Sequence, residues 1–259
     1  MTDLYGVLGY PLGHSLSPEW MEAAFGRGES PRPSRASSYI LMEYREYPGL
    51  EALARQFPTL RGLNVTLPYK QAVFDEMVAK GWPLSEPARL AGALNCLRLE
   101  RDPKGNLVRV HGHNTDVVGF RKSLESWSQE GLEGPALVLG NGGAACAVGV
   151  VLKELALPYL VVGRSAPADL SWDLVRDALV EASPLLVQCT PLGMWPEEAV
   201  MPPLPLEGIG HRHRVVDLIY RPSTTRFLEA CRNKGAQIMG GMVMFEAQAR
   251  ASLEFWKNP

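Results

Sequence analysis

The chain has 259 residues, a net charge of -2 with histidines neutral, 46% hydrophobic residues and 21% charged residues. That is enough polypeptide for two cores of ordinary globular composition, and the near-neutral balance excludes the basic footprint of a nucleic-acid binder or a polybasic membrane patch. Cys96, Cys146, Cys189 and Cys231 are scattered with no CxxC pair. This argues against a zinc site or a disulfide framework and suits a reducing cytoplasm. The start, Met1-Thr2-Asp3-Leu4, has no secretory pattern, and no apolar run approaches the ~20 residues that span a bilayer.

Leu4–Gly9 reads as a buried strand, broken by Tyr10-Pro11-Leu12-Gly13. In His14-Ser15-Leu16-Ser17-Pro18, Ser17 has the look of an N-cap and Pro18 of a first helical residue, opening a helix to about Phe25. Two serines two positions apart before a helix place hydroxyls and free N–H groups where a carboxylate could sit; simple capping is the other reading of Ser17. Residues 28–37 form a loop, Ser38–Met42 a strand and Tyr47–Phe57 a helix. Leu63, Val65 and Leu67 then alternate with Asn64 and Thr66, the period of a half-buried strand. Pro68 stops it, because proline cannot donate to a ladder, and Lys70 falls on the first turn of a helix ending at Ala79. Residues 86–95 lead into a strand ending near Leu99, residues 101–106 form a turn, and Leu107–Gly112 returns. Asn114-Thr115-Asp116 starts a helix running to about Trp127, where Asp116 also suits the helix dipole.

After Gly131-Leu132-Glu133-Gly134-Pro135 the texture changes. Ala136–Leu139 is a short apolar strand. It feeds Gly140-Asn141-Gly142-Gly143-Ala144-Ala145, then a small-residue helix to about Leu155 and a strand at Tyr159–Val162. Strand, glycine turn, helix and strand are the context of a dinucleotide fingerprint: the glycines permit close backbone approach, and the helix N-terminus faces the pyrophosphate. A tight structural turn is the competing reading. An acid about 20 residues on would take the ribose 2′-hydroxyl of NAD; here Arg164 and Ser165 stand, with no acid before Asp169. That favours the 2′-phosphate of NADP, with NAD possible. One helix, Ser171–Ala182, occupies the stretch up to Gln188, so a trimmed sheet edge is expected. Leu185–Gln188 is a buried strand ending in the polar turn Cys189-Thr190-Pro191-Leu192-Gly193-Met194. Residues 200–210 are a proline-rich loop, and His211–Arg214 a solvated turn rather than a metal site. Val215–Tyr220 is a strand, and Thr224 or Thr225 caps a helix to about Lys234. Gly240-Gly241 precedes a last helix with Phe245, Ala249, Ser252 and Trp256 on one stripe and Gln248 beside it.

These motifs, in this order from Gly6 to Trp256, resemble the shikimate dehydrogenase family. The resemblance is carried by His14-Ser15-Leu16-Ser17-Pro18, residues 64–70, Gly92-Ala93-Leu94-Asn95, Asn114-Thr115-Asp116, the turn at Gly140, residues 190–194, residues 217–222 and residues 244–248. It implies an α/β fold. Residues 1–115, completed by 242–259, would form a substrate-binding domain. Residues 116–241 would form a Rossmann-like, doubly wound NADP domain, with substrate and cofactor in the cleft between them. The implied reaction is the reversible NADP-dependent reduction of 3-dehydroshikimate to shikimate, in aromatic amino-acid biosynthesis, by a cytoplasmic monomer or homodimer with no nucleic-acid or membrane partner.

The resemblance also implies roles. Ser15 and Ser17 would hold the substrate carboxylate, with Tyr220 assisting; Asn64, Thr66, Asn95 and Gln248 would bind the rest of the substrate. Lys70 and Asp116 would be catalytic, flanking the hydroxyl that becomes a ketone. Gly140, Asn141, Gly142, Gly143, Ala144, Arg164, Ser165, Thr190, Leu218 and Gly241 would form the cofactor seat. Independently of the family, hydride loss from a carbinol requires a group that takes the hydroxyl proton or stabilises the charge. A lysine beside a carboxylate can serve as acid/base or as a fixed cation. Quinate with NAD, or a non-catalytic ligand-binding relative, are the alternatives. The chain departs from the family pattern at Met21-Glu22, Cys96, Asn141 and Gly163-Arg164-Ser165.

Overall fold

The computed structural model describes residues 2–13, 15–125, 127 and 132–257; His14 of the serine motif and Gly131 of the glycine turn before Ala136 lie outside the described residues. The chain forms two compact units, residues 1–118 with 248–259, and residues 119–247. The cuts fall a few residues inside the helices expected to begin at 114 and 242.

The first unit contains β1 (Asp3–Gly9), α1 (Ser17–Gly26), β2 (Ser37–Glu43), α2 (Leu50–Gln56), β3 (Leu60–Val65), α3 (Lys70–Ala79), α4 (Glu86–Ala91), β4 (Cys96–Arg101), β5 (Leu107–His113) and the start of α5 (Thr115–Leu124). Its sheet runs β2-β1-β3-β4-β5. The first three strands are parallel; β4 is antiparallel to β3, and β5 to β4. Because direction reverses twice, the C-terminal ends of β1, β3 and β5 and the N-terminal end of β4 all meet one edge. Asn64, Cys96 and His113 lie in register there.

Side chains alternate across this sheet. Leu8, Leu63, Val65, Leu97 and Val110 pack with Leu53 of α2, Val73 and Met77 of α3 and Ala88 of α4. Tyr5, Val7, Tyr39 and Cys96 face the other way, against Met21 and Ala24 of α1 and against Ala249, Leu253 and Trp256. Those last residues belong to the closing helix; Ala249 and Trp256 are on the stripe read from the sequence, and the structure adds Leu253. Gly62 makes room for it: a Cβ there would lie 2.6 Å from the Trp256 ring, whose Nε1 donates to the Leu97 carbonyl at 2.9 Å. Glu22, a departure from the family pattern, accepts the Tyr39 N–H at 2.6 Å and ties α1 to β2.

The second unit continues with β6 (Ala136–Leu139), α6 (Gly143–Glu154), β7 (Tyr159–Gly163), β8 (Leu170–Ser171), α7 (Asp177–Glu181), β9 (Leu185–Gln188), β10 (Arg214–Asp217), α8 (Arg226–Asn233), β11 (Gln237–Met239) and the first turns of α9 (Met242–Lys257). The sheet order is β11-β10-β9-β6-β7-β8, parallel throughout. This is the doubly wound order, with its switch point between β6 and β9. Leu137, Leu139, Leu186 and Val215 of the strands pack with Val180, Phe227, Leu228 and Cys231 on one face.

Several expected elements differ. The helix read over 47–57 begins only at Leu50, after Gly49 at φ 83°. β3 ends at Val65, leaving Leu67 half exposed outside the strand. α5 stops at Leu124. The single helix expected over 171–182 is instead the edge strand β8, one 3-10 turn and the short α7. The edge is indeed reduced, to two residues on β7. β10 ends at Asp217, and β11 is a strand beyond those expected. His213, placed in a solvated turn, is buried: Nδ1 accepts the Gly210 N–H at 3.0 Å, and Nε2 lies 3.0 Å from the Val180 carbonyl. The proline-rich loop, whose Leu204 and Ile209 are already buried in the core of this unit, thereby gains a polar anchor as well. Among the described residues, no three His, Cys, Asp or Glu side chains are grouped to hold a metal ion, and no helix is long and apolar enough to cross a membrane.

Candidate active site

In the first unit the polar strand ends converge. Lys70, the first residue of α3, and Asp116, in the first turn of α5, are 46 positions apart in sequence, yet Nζ donates to Oδ2 in an ion pair. Their side chains are 14% and 9% exposed, so the pair is largely desolvated but still reachable by a ligand. The second Asp116 oxygen is held by Asn95, whose Nδ2 donates to Oδ1 at 2.9 Å. Asn95 is itself fixed: its Oδ1 accepts the Thr115 N–H at 2.7 Å and the Thr115 hydroxyl at 3.1 Å. A backbone donor on one side and a carboxylate on the other leave that amide one orientation. Capping of α5 falls to Asn114, whose Oδ1 accepts the Val117 N–H at 3.3 Å. Asp116 is therefore free of that duty.

Ser15 and Ser17 are half-buried after β1. The helix starts with Leu16 in the cap position and no side-chain capping bond. Ser17 therefore does not cap, and its N–H instead meets Ser15 Oγ at 3.3 Å. Thr66 lies just past β3, half-buried. Gln248 belongs to this unit too, with Oε1 3.4 Å from the Thr115 hydroxyl. Asn64, expected among the substrate ligands, is committed to the protein. Its Nδ2 donates to Ser252 Oγ at 2.9 Å and to the Asn95 carbonyl at 3.3 Å, and its Oδ1 accepts from the Tyr39 hydroxyl at 2.8 Å. Neighbouring His113 stacks 5.0 Å from Phe255 and meets Ser85 Oγ at 2.6 Å; burial pulls its pKa below the ordinary imidazole value.

The second unit offers a seat built from main chain. Gly140 sits at φ 111°, a conformation suited to glycine, and a Cβ there would lie 2.8 Å from Thr190 Cγ2. Gly142 caps α6 without a side-chain bond, and a Cβ there would meet nothing within 4 Å. The first N–H groups of a twelve-residue helix are thus presented at the switch point beside open space, as a pyrophosphate requires. Ala144 lies in that first turn. Asn141 reaches across to β7, donating from Nδ2 to the Ser165 carbonyl at 2.6 Å, and Gly163 must be small because a Cβ would fall 2.9 Å from Asn141 Cγ. Arg164 and Ser165 are exposed at that strand end. Asp169, the nearest acid, is occupied by the Val161 N–H at 2.8 Å. The residues present fit a dinucleotide carrying a phosphate at the ribose.

Two buried groups that sequence reasoning passed over shape this seat. Gln188 is 0% exposed and folds the turn after β9: its Oε1 accepts the Thr190 N–H at 2.8 Å and the Thr190 hydroxyl at 2.9 Å, while Nε2 donates to the Leu192 carbonyl at 3.0 Å. Asp217 accepts the Ile219 N–H at 3.0 Å and the Thr225 hydroxyl at 2.7 Å, and burial pushes its carboxyl up to about 7. Between them Leu218 is held to the Gln188 carbonyl at 3.0 Å. Gly241 lies so close that a Cβ would sit 2.2 Å from the Leu218 carbonyl. Tyr220 packs 4.7 Å from Phe245 within the same unit.

Known proteins match this chain over the same regions. Residues 7–97 match the family model described as the shikimate dehydrogenase substrate binding domain. The chain is 34% identical to the NADP(+) shikimate dehydrogenase of Synechocystis sp., over 98% of this chain and 90% of that one. It is 32% identical to that of Carboxydothermus hydrogenoformans, over 98% and 91%. Among solved structures, shikimate 5-dehydrogenase of Thermus thermophilus, in complex with NADP(H) and shikimate, aligns with a TM-score of 0.79 and 31% identity, covering 99% of this chain and 94% of the other. With an ion pair at converging strand ends, a glycine turn at the switch point and relatives matching from end to end, this chain belongs to the shikimate dehydrogenase family.

Proposed function

We propose that the chain is an NADP-dependent oxidoreductase that interconverts 3-dehydroshikimate and shikimate. The observation that carries this reading is the Lys70–Asp116 pair, formed by residues remote in sequence and oriented by Asn95, in a chain of this family. The relatives' names point to the same reaction.

NADP, when bound, supplies the hydride acceptor for oxidation and the donor for reduction. The residues of this chain handle the proton and the orientation. In oxidation the substrate hydroxyl passes its proton to the Lys70–Asp116 pair as charge develops on oxygen, and in reduction the pair returns it. Ser15 and Ser17, whose hydroxyls are not spent on capping, hold the carboxylate. Thr66 and Gln248 meet ring hydroxyls. Asn95, with one N–H on Asp116, offers the other to substrate. Residues 140–144 seat the pyrophosphate with Thr190 against them, Arg164 and Ser165 the 2′-phosphate, and Leu218 and Gly241 the nicotinamide end. The enzyme acts in the cytoplasm on a small molecule, as a monomer or homodimer.

One assay tests the reading: shikimate and quinate, each crossed with NADP and NAD, followed by the absorbance of the reduced cofactor. Shikimate with NADP should turn over fastest. Faster turnover of quinate with NAD would replace the reading with its nearest alternative, and no turnover of any pair would remove the enzymatic one.

A further inference from the structure

Ser252 and Asn64 are 0% and 7% exposed, yet both carry fully bonded polar groups beside the reacting pair. Ser252 Oγ accepts from Asn64 Nδ2 at 2.9 Å, donates to the Gln248 carbonyl at 2.9 Å and lies 3.3 Å from the Thr115 hydroxyl. It also touches the Cys96 thiol. The second Asn64 N–H goes to the Asn95 carbonyl at 3.3 Å, which also accepts the Val65 N–H at 2.8 Å. Behind Asn64 stands Tyr39, donating to Oδ1 at 2.8 Å. Thr115 closes the circuit on the Asn95 side chain, and Asn95 closes it on Asp116.

Attachment of the last helix does not require these groups. Ala249, Leu253 and Trp256 already pack into the sheet face, and apolar side chains in place of Asn64 and Ser252 would attach it without the desolvation that buried polar groups incur. What a satisfied buried network adds is a single arrangement of its members. Here the members end on Asn95 at two atoms, its carbonyl and its Oδ1, and its Nδ2 passes that placement to Asp116.

We propose that Ser252 and Asn64, backed by Tyr39, are positioning residues for the reaction: they lock Asn95 and Thr115 and so hold the Asp116 carboxylate against Lys70. The proposal rests on the dehydrogenase reading above and deepens it. The two residues touch no substrate; they act through Asn95.

The test uses the intact enzyme with shikimate and NADP, comparing wild type, Ser252→Ala, Tyr39→Phe and the double variant, each shown by its melting curve to be folded at the assay temperature. Ser252→Ala should lower kcat about tenfold with the KM for shikimate within about twofold, the pattern of a misplaced reacting group. Tyr39→Phe keeps its ring beside Trp256 and should lower kcat about threefold; the double variant should lose less than the product of the two, because both act through Asn64. Unchanged kcat with a lowered melting temperature would make the network an adhesive only, and a raised KM at constant kcat would make it part of substrate binding; either overturns the proposal. Should Ser252→Ala fail to fold, the constants of Tyr39→Phe decide by the same criteria. A wild type that does not oxidise shikimate with NADP removes the functional reading first, and the proposal with it.

Discussion

The two units build their sites in opposite ways. In the first, the chemistry sits on side chains held by other side chains: Lys70 on Asp116, Asp116 on Asn95, Asn95 on Thr115. In the second, the ligand seat is main chain, shaped by where a Cβ cannot go: Gly140 against Thr190, Gly163 against Asn141, Gly241 against Leu218. Proton handling needs ionisable groups placed to a fraction of an ångström, and only a network of directional bonds specifies that. A pyrophosphate needs several N–H groups pointing one way, and a helix N-terminus provides them without any side chain.

The difference predicts which kinetic constant each substitution moves, from the largest effect on turnover to the smallest. Lys70→Ala should lower kcat by about a hundredfold or more, the usual reach of an acid/base or charge-stabilising group, with the KM for NADP nearly unmoved; steady-state kinetics would show it, and near-normal kcat would take Lys70 out of the chemistry. Gly140→Ala should raise the KM for NADP about tenfold while leaving that for shikimate alone, since it strains a left-handed position and pushes on Thr190. A rise in both would mean that the two regions are not built independently. Arg164→Ala should weaken NADP about fivefold and NAD hardly at all, as loss of one charged hydrogen bond does; titration with each cofactor separates the cases, and equal loss would refute the 2′-phosphate assignment.

The smallest effect on turnover belongs to Asp217→Asn, which should instead change the pH dependence of stability. The Asp217 carboxyl is raised from 3.8 to about 7 in the folded chain. Between those values the folded state holds a proton that the unfolded state has released, so its contribution to stability falls as pH rises from about 4 to about 7 and is level above that. Asparagine in its place should flatten that part of the melting-temperature profile, and an unchanged slope would mean that Asp217 is ionised throughout.

Local pattern made much of this legible. Pro68 after the alternation of Leu63, Val65 and Leu67 announces a strand end, two residues beyond Val65 where β3 stops, and Gly140-Asn141-Gly142-Gly143 between an apolar strand and a small-residue helix announces the turn. Both signals lie within a few residues, where period and turn chemistry operate. What stayed hidden depends on remote partners. Asn64 and Ser252 are 188 positions apart, and a strand-end asparagine beside a polar helix residue looks the same whether each faces ligand or the other. His213 read as solvent-facing among charged neighbours because its acceptor, the Val180 carbonyl, is 33 positions away. β8 and β11 escape such a reading because strands of two and three residues carry no period. The family pattern supplied the pairing of Lys70 with Asp116; spacing alone did not.

The closing helix has a consequence for how the polypeptide matures. Trp256 seats over Gly62, but it is synthesised only after residues 119–247, which form a unit of their own. The sheet face bearing Tyr5, Val7 and Tyr39 therefore leaves the ribosome without part of its cover, and that apolar surface stays open to self-association until α9 has been made. Slowing elongation through 119–247, or nicking the chain ahead of α9, should favour aggregates seeded by the amino-terminal portion rather than by the middle one.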